Sequence, residues 1–256
     1  MKKLIILLFI ILTSSCSYKG IIVSNLPFLI TNRVDKRFDL TSEQAKFFKG
    51  DIKKLLKDKK NEVKSFNEKF QAFNIESSNR KDFYLSIRDS YINIANSVIP
   101  SLTRLMLTLS NEQRTEYFKE DKKKLDKREN KLNNRASDFY VSRFERFFGD
   151  LTESQKTLIK KRSTSMKQSS LRVLTKRRLF HKQLKLLFEI GDKNLKDQIS
   201  DAFKNYVDKS TRYKDREAFF MALDEFIPTL SRDQIEYFNE NKADVGEWIS
   251  LYLSKY

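Results

Sequence analysis

His181 and Cys16 are the most chemically versatile side chains in this sequence, and each is the only residue of its type. His181 lies between Phe180 and Lys182, with neither a nucleophile nor an orienting carboxylate close to it in sequence. Acid–base catalysis by histidine needs such partners, so we interpret His181 as a surface residue. Zinc needs clusters of histidine, cysteine or carboxylate, and phosphate loops need closely spaced glycines. We therefore expect no catalytic residue, no metal site and no cofactor.

One glutamate allows an enzymatic hypothesis. Glu76 is followed by Ser77, a pair that resembles the one in helical, lipid-anchored cell-wall lytic enzymes. A single glutamic acid can in principle cleave a glycosidic bond. The glycine-rich motif that such enzymes place downstream is absent from this sequence. Residues 76–79 are equally well explained as a turn between two helices, so a lytic enzyme is the third of our hypotheses.

The most unusual segment combines positive charge with apolar residues at helical spacing. Eleven lysines or arginines and no acid lie between positions 156 and 188. Long basic side chains cover apolar surface with their stems while their charged ends reach an anionic partner. The residues predicted to form this binding face are Lys160, Arg162, Lys167, Arg172, Lys176, Arg178 and Lys185. The alternative is that acids on other helices, such as those in residues 116–126 or 233–244, neutralise the row internally.

The N-terminus has the pattern of an export signal. Lys2 and Lys3 precede a nine-residue apolar run at positions 4–12. This run is too short to span a bilayer, because a spanning helix needs about 20 residues. Small residues then lead to Cys16, an order that resembles a bacterial lipoprotein signal. We predict a signal peptide at 1–15 and lipidation of Cys16. Simple secretion with a free thiol is the alternative.

Lipidation would place the protein in the cell envelope, attached to a membrane by its lipid. The resemblance to lipoprotein signals implies that Ser17 after the cysteine is permissive for outer-membrane sorting, so we expect the periplasmic face of that membrane. Without Lys2 and Lys3, 49 of the 51 basic residues remain against 34 acidic ones, a net charge of about +15. In the cytosol such a charge would suggest nucleic acid, but export excludes that partner. Anionic lipid, lipopolysaccharide and envelope proteins are the partners we expect.

One short pattern occurs four times: a leucine, a hydroxyl residue, two polar residues and a glutamine. Serine or threonine at a helix N-cap accepts a hydrogen bond from the third helical N–H, and the glutamine there accepts one from the N–H of the cap. Each copy therefore predicts the start of a helix. The copies are Leu40, Thr41 and Gln44; Leu109, Ser110 and Gln113; Leu151, Thr152 and Gln155; and Leu230, Ser231 and Gln234.

Apolar residues at three- and four-residue steps, with scarce glycine and proline, indicate an all-α protein. We predict a bundle of long antiparallel helices over residues 25–256, joined to the lipid by a tether at 16–24. One helix is expected over residues 42–75, and the next should kink at Pro100. The helix that begins after Thr152 should end at Gly191 in a left-handed cap. Residues 119–135 are nearly all charged, which predicts either a projecting helix or a flexible joint.

The four motifs also suggest an internal duplication. The first and third follow an aspartate and the second and fourth follow a threonine, so the copies alternate along the chain. This order predicts two related halves, residues 25–149 and 150–256. The alternative is that the motif recurs only because it is a common way to begin a helix.

Two family resemblances follow from these motifs. The first is to a widespread family of uncharacterised proteobacterial lipoproteins, which implies an envelope location and no agreed activity. It rests on the residues at 16–18, 25–27, 38–44 and 143–155. The second is between the Leu-Thr-x-x-Gln form and the motif of periplasmic stress proteins of the Spy and CpxP type. Those proteins are helical and non-enzymatic, and Spy is a chaperone that works without ATP.

We therefore predict a non-enzymatic, membrane-anchored binding or chaperone-like module for anionic or partly unfolded partners. Its rival is a scaffold or adaptor that binds anionic lipid or an envelope protein through the basic face. Suppression of client aggregation would favour the first function, and salt-sensitive binding to anionic liposomes without such suppression would favour the second.

Overall fold

A computed structural model describes residues 18–256, so the predicted signal peptide and Cys16 lie outside the described residues. The described chain is almost entirely helical and contains no strand, which confirms the predicted all-α bundle of long helices. Short 3-10 helices at Tyr213–Asp215 and Ile227–Thr229 flank the eighth α-helix. The α-helices are α1 (Leu26–Phe38), α2 (Ser42–Asp58), α3 (Lys60–Ala72), α4 (Arg80–Thr108), α5 (Asn111–Phe148), α6 (Glu153–Ile190), α7 (Leu195–Ser210), α8 (Glu217–Phe226) and α9 (Arg232–Lys255).

All four predicted helix starts are formed, at α2, α5, α6 and α9. In each, the hydroxyl of the N-cap residue accepts a hydrogen bond from the glutamine N–H at 3.2 to 3.3 Å. The glutamine Oε1 in turn accepts the N–H of the cap at 2.8 to 3.1 Å. Two of the four N–H groups that a helix start leaves unpaired are thereby satisfied in every copy.

The same glutamines also join helices that are distant in sequence. Gln44 Nε2 donates to Gln113 Oε1 at 3.3 Å, and Gln113 Nε2 donates back to Gln44 Oε1 at 3.0 Å. The second hydrogen of each amide goes to a main-chain carbonyl, that of Thr108 at 2.7 Å and that of Asp39 at 2.5 Å respectively. Each side chain thus uses both of its donors and both of its acceptor positions.

Gln155 and Gln234 repeat this arrangement at the other end of the molecule. Their amides exchange hydrogen bonds of 2.8 and 3.0 Å, and their second hydrogens reach the carbonyls of Thr229 at 2.9 Å and Asp150 at 2.7 Å. The two glutamine pairs are equivalent bond for bond. The alternation of motifs along the sequence therefore corresponds to a repeated structural unit.

The apolar core is divided into two clusters, one near each glutamine pair. The first contains Phe48 from α2 together with Phe180 from α6. The second contains Phe73, which follows α3, together with Phe226 from α8. Each cluster therefore takes residues from both predicted halves of the chain. The halves are interleaved and do not pack as separate domains.

Helices α5 and α6 extend through both clusters, each with 38 residues. At about 1.5 Å per residue each would be about 57 Å long. The charged segment 119–135 is a packed helix, because Leu125 and Leu132 are buried on it. Its last residue, Arg135, leaves helical geometry with φ −142° and ψ 41°. The segment is therefore not a projecting helix, and α5 is kinked where the segment ends.

Two other expectations about helix continuity had different outcomes. The single helix predicted over residues 42–75 is wrong, because α2 ends at Asp58 and α3 begins at Lys60. The intervening Lys59 has φ −99° and ψ 13°, and it interrupts the apolar spacing of the sequence. Helix α4 continues through Pro100, which takes an exposed position on it, and the kink expected there stays a prediction.

Part of the predicted tether packs on the body of the protein. Residues 18–24 are helical, and Val23 within them is buried. Lys19 Nζ lies 2.6 Å from carboxylate oxygens of both Asp244 and Glu247 on α9. The chain is therefore attached to its last helix within a few residues of Cys16.

Removing one glutamine from the buried pair should destabilise the fold more than removing an exposed glutamine. Gln155 is 2% exposed, so Gln155→Ala leaves one hydrogen and one acceptor position of the Gln234 amide, and the carbonyl of Thr229, without a partner. We expect a loss of about 1–3 kcal/mol in the free energy of unfolding, measured by urea denaturation. The exposed Gln168→Ala on the same helix is the control and should change it by less than about 0.5 kcal/mol. Equal losses of stability in the two variants would contradict a stabilising role for the glutamine pair.

Candidate functional site: a cationic groove between α5 and α6

The seven basic residues predicted to form one binding face lie in different surroundings. Arg162 Nε donates to a Glu225 carboxylate oxygen at 2.8 Å, and this hydrogen bond lowers the pKa of Glu225. Lys176 binds the carboxylate of Asp215, which is only 2% exposed, and Arg172 Nε lies 3.7 Å from the same group. These three cations join α6 to the segment between α7 and α9, so their charge is partly neutralised inside the protein.

Arg178 is also paired, in this case with α5. Its guanidinium donates to Asp126 at 2.9 Å and to Glu129 at 2.6 Å, and the second bond lowers the pKa of Glu129. Lys185 Nζ lies 3.8 Å from Glu189, and both side chains are exposed. The two members of the predicted face that form no ion pair with a described residue are Lys160 and Lys167.

Arg178 and Lys185 both line a groove of about 790 Å³ between the N-terminal part of α5 and the C-terminal part of α6. This volume is within the range of about 300–1,000 Å³ that is usual for ligand sites. One acid, Glu189, lines the groove, together with the apolar side chains of Phe118, Leu125 and Phe188. Its six cations are Arg114, Lys119, Lys122, Arg178, Lys182 and Lys185.

Two helix ends position the walls of this groove. The Ser110 capping box fixes the first turn of α5, and Arg114 follows in that turn with its guanidinium carbon 4.5 Å from the centre of the Phe188 ring. The opposite wall is the last three turns of α6, which end at Gly191 with φ 63° and ψ 35°. This is the left-handed cap predicted from the glycine. The groove therefore lies where a fixed helix start meets a fixed helix end.

A buried polar cluster crosses between the same two helices. Asp121 on α5 is 3% exposed and accepts a hydrogen bond from Arg177 on α6. Its other carboxylate oxygen lies 3.1 Å from His181 Nδ1, and His181 Nε2 lies 3.3 Å from the hydroxyl of Tyr117. The His181 side chain is only 11% exposed, so its interpretation as a surface residue is wrong.

Burial determines the protonation of this cluster. It lowers the pKa of His181, an effect that the nearby Asp121 carboxylate partly opposes. Burial also raises the pKa of Tyr117 to about 12. At neutral pH the imidazole is therefore uncharged, and the hydroxyl of Tyr117 stays protonated. The tyrosine is consequently a poor nucleophile, and the cluster acts as a hydrogen-bonded link between helices.

The spacing of the sequence contains a signal for this cluster. Asp121 lies four residues after Tyr117 and four before the buried Leu125, which places all three on one helix face. Four residues likewise separate Arg177 from His181 on α6. In this row of core-facing positions, the charged residue Asp121 is the one that forms the buried ion pair.

Glu76 lies in the turn between α3 and α4, and its side chain is exposed. The side chain of Asn74 fixes this turn by accepting the N–H of Glu76 at 2.8 Å and that of Ser77 at 3.2 Å. Asn79 then caps α4. In residues 18–256, no three histidine, aspartate or glutamate side chains are grouped so that they could hold a metal ion.

Comparison with protein-family models, with curated proteins and with solved structures finds no match to this chain. The resemblances to the proteobacterial lipoproteins and to the Spy and CpxP motif therefore depend on the sequence patterns and stay predictions. Within the described chain, no helix combines the length and the apolar character needed to cross a membrane.

The buried His181 should make the stability of the protein fall as the solution becomes mildly acidic. Its pKa is lowered from the usual 6.5, so the unfolded chain binds the proton more readily than the folded chain does. The contribution of the neutral His181 to the free energy of unfolding is complete above pH 6.5 and decreases as the pH falls below this value. We expect the free energy of unfolding, measured by urea denaturation between about pH 7 and pH 5, to decrease over this interval.

His181→Gln provides the control for this measurement. Because His181 is the only histidine and carboxyl groups ordinarily titrate at lower pH, the free energy of unfolding of this variant should change little over the same interval. A wild-type protein that becomes more stable from pH 7 to pH 5 would show that Asp121 outweighs burial.

Proposed function

We propose that this protein is a non-enzymatic binding module of the cell envelope that holds acidic, partly apolar segments of other proteins in the groove between α5 and α6. The observation that supports this proposal is the composition of the groove, in which six cations and one acid surround apolar side chains. Such a surface is complementary to a segment in which carboxylates alternate with apolar residues. Partly unfolded chains expose segments of this kind.

The groove cations differ in how available they are to a partner. Arg178 is already bound to two carboxylates of α5, and Lys122 Nζ is 2.8 Å from Asp126. Lys182 makes no ion pair with a described residue, whereas Lys119 and Lys185 form only exposed ones. Exposed ion pairs are weak and exchange readily with another anion. These three lysines are therefore the residues that we assign to the partner.

Attachment to the membrane through a lipid on Cys16 is part of the proposal. It is supported by the N-terminal sequence pattern and by the helix at residues 18–24, which is attached to α9 through Lys19. Such an anchor would keep the protein at the membrane surface. The protein would then act on partners that pass close to the membrane.

Binding of anionic lipid is the rival function, and one observation favours it. Leu179, Leu186 and Ile190 are exposed on the C-terminal part of α6, by 61%, 47% and 71% respectively. They lie on the same stretch as Lys182 and Lys185. Apolar and basic side chains interleaved in this way are typical of surfaces that rest on anionic membranes. Both functions use Lys182 and Lys185, so the measurements of client capture and of vesicle binding distinguish them.

Neutralising the three available lysines of the groove should weaken the capture of acidic clients. The chain spanning residues 18–256 would be mixed with a denatured client of net negative charge, and the client's aggregation followed by light scattering. We expect Lys119→Gln, Lys182→Gln and Lys185→Gln together to raise about tenfold the concentration of this protein that half-suppresses aggregation. Added salt should raise the same concentration for the wild type.

A second triple variant, Lys53→Gln, Lys160→Gln and Lys167→Gln, removes the same charge outside the groove and should behave like the wild type. Equal losses in both variants would indicate that net charge alone is responsible. Failure of the wild type to suppress aggregation, combined with salt-sensitive binding to phosphatidylglycerol vesicles, would replace the proposal by the lipid-binding function.

A further inference from the structure

A second cavity, of about 320 Å³, lies among α1, α4, α5 and α7 and shares no lining residue with the groove. Its walls belong to the first apolar cluster of the core. Tyr117 also borders this cavity, and its ring is stacked on Phe38 with the ring centres 4.3 Å apart. The aliphatic and aromatic side chains that supply the rest of the apolar lining are Ile30, Val34, Leu102, Leu105, Met106 and Phe203.

The only charged residues that line this cavity are two arginines. Arg33 and Arg37 lie one turn apart on α1, and both are exposed to solvent. Neither forms an ion pair with a described residue, and no acid lines the cavity. Arginine side chains bind carboxylates through two parallel hydrogen bonds, so a pair of free guanidinium groups beside an apolar space is suited to a carboxylate that carries a hydrocarbon chain.

We infer that this cavity binds a single-chain fatty acid, with its hydrocarbon among the apolar side chains and its carboxylate at Arg33 and Arg37. Ligand sites usually measure about 300–1,000 Å³, so a cavity of about 320 Å³, at the small end of this range, favours a ligand with a single hydrocarbon chain. The inference does not depend on the function proposed for the groove.

The test is the binding of carbon-13-labelled decanoate to the full chain in zwitterionic nanodiscs, measured by NMR against empty nanodiscs. We expect saturable binding at one site for decanoate and much weaker binding for decan-1-ol, which has the same chain and no charge. Arg33→Gln with Arg37→Gln should weaken decanoate binding about fivefold, as expected for exposed charge pairs. The matched control is Arg128→Gln with Arg146→Gln, which should leave the affinity unchanged.

A separate variant tests whether the hydrocarbon enters the cavity. Val34→Trp places a larger side chain in the lining and should abolish decanoate binding, with circular dichroism used to verify that the helical fold is retained. Equal affinities for decanoate and decanol, unchanged affinity in the Arg33 and Arg37 variant, or unchanged affinity in the Val34 variant would each overturn the inference. Because the groove lysines are intact in all these variants, client capture is expected to be unaffected whatever the result.

Discussion

The paired glutamines are the interaction on which the rest of the architecture depends. A buried amide that lacks hydrogen-bonding partners costs about 1–3 kcal/mol, but in these pairs every donor and acceptor position is occupied. Each pair also satisfies a carbonyl that a helix end would otherwise leave unpaired. The amide of Gln44, for example, reaches Thr108, the last residue of α4. One residue type therefore begins a helix, ends another and joins the two.

This arrangement fixes the positions of the helix ends, and the two apolar clusters follow from it. The chain contributes two residues to a glutamine pair at each end of the molecule, so it has to run the length of the molecule to connect them. Helices α5 and α6 do so as 38-residue helices, and α2 and α3 cover a comparable path with a break at Lys59. As a result, segments from both halves of the sequence meet at each end. The two predicted halves therefore share both apolar clusters, and neither half has a complete core of its own.

Sequence reasoning predicted the local features of this fold because their causes are local. Hydroxyl and glutamine residues three apart specify a capped helix start, and Gly191 specifies a helix end, whatever the surrounding structure. The pairing of Gln44 with Gln113 was not predictable, since a capping box does not require its glutamine to have a distant partner. For the same reason, the sequence could not predict which cations of the predicted basic face are paired with acids inside the protein. Whether Arg162 or Lys160 meets an acid depends on which helix packs beside it, and the residues of α6 alone do not specify this.

The buried ionic cluster has a clear structural role once the charged segment of α5 is considered. Between residues 119 and 135 only Leu125 and Leu132 are large and apolar, so apolar packing alone would define the alignment of α5 on α6 poorly. Apolar contacts tolerate a displacement along a helix, whereas a displaced Asp121 would lose Arg177 and remain charged in an apolar environment. Breaking a buried ion pair in this way is strongly destabilising. The cluster therefore fixes the alignment of the two long helices directly beside the groove, which is lined by cations of both helices.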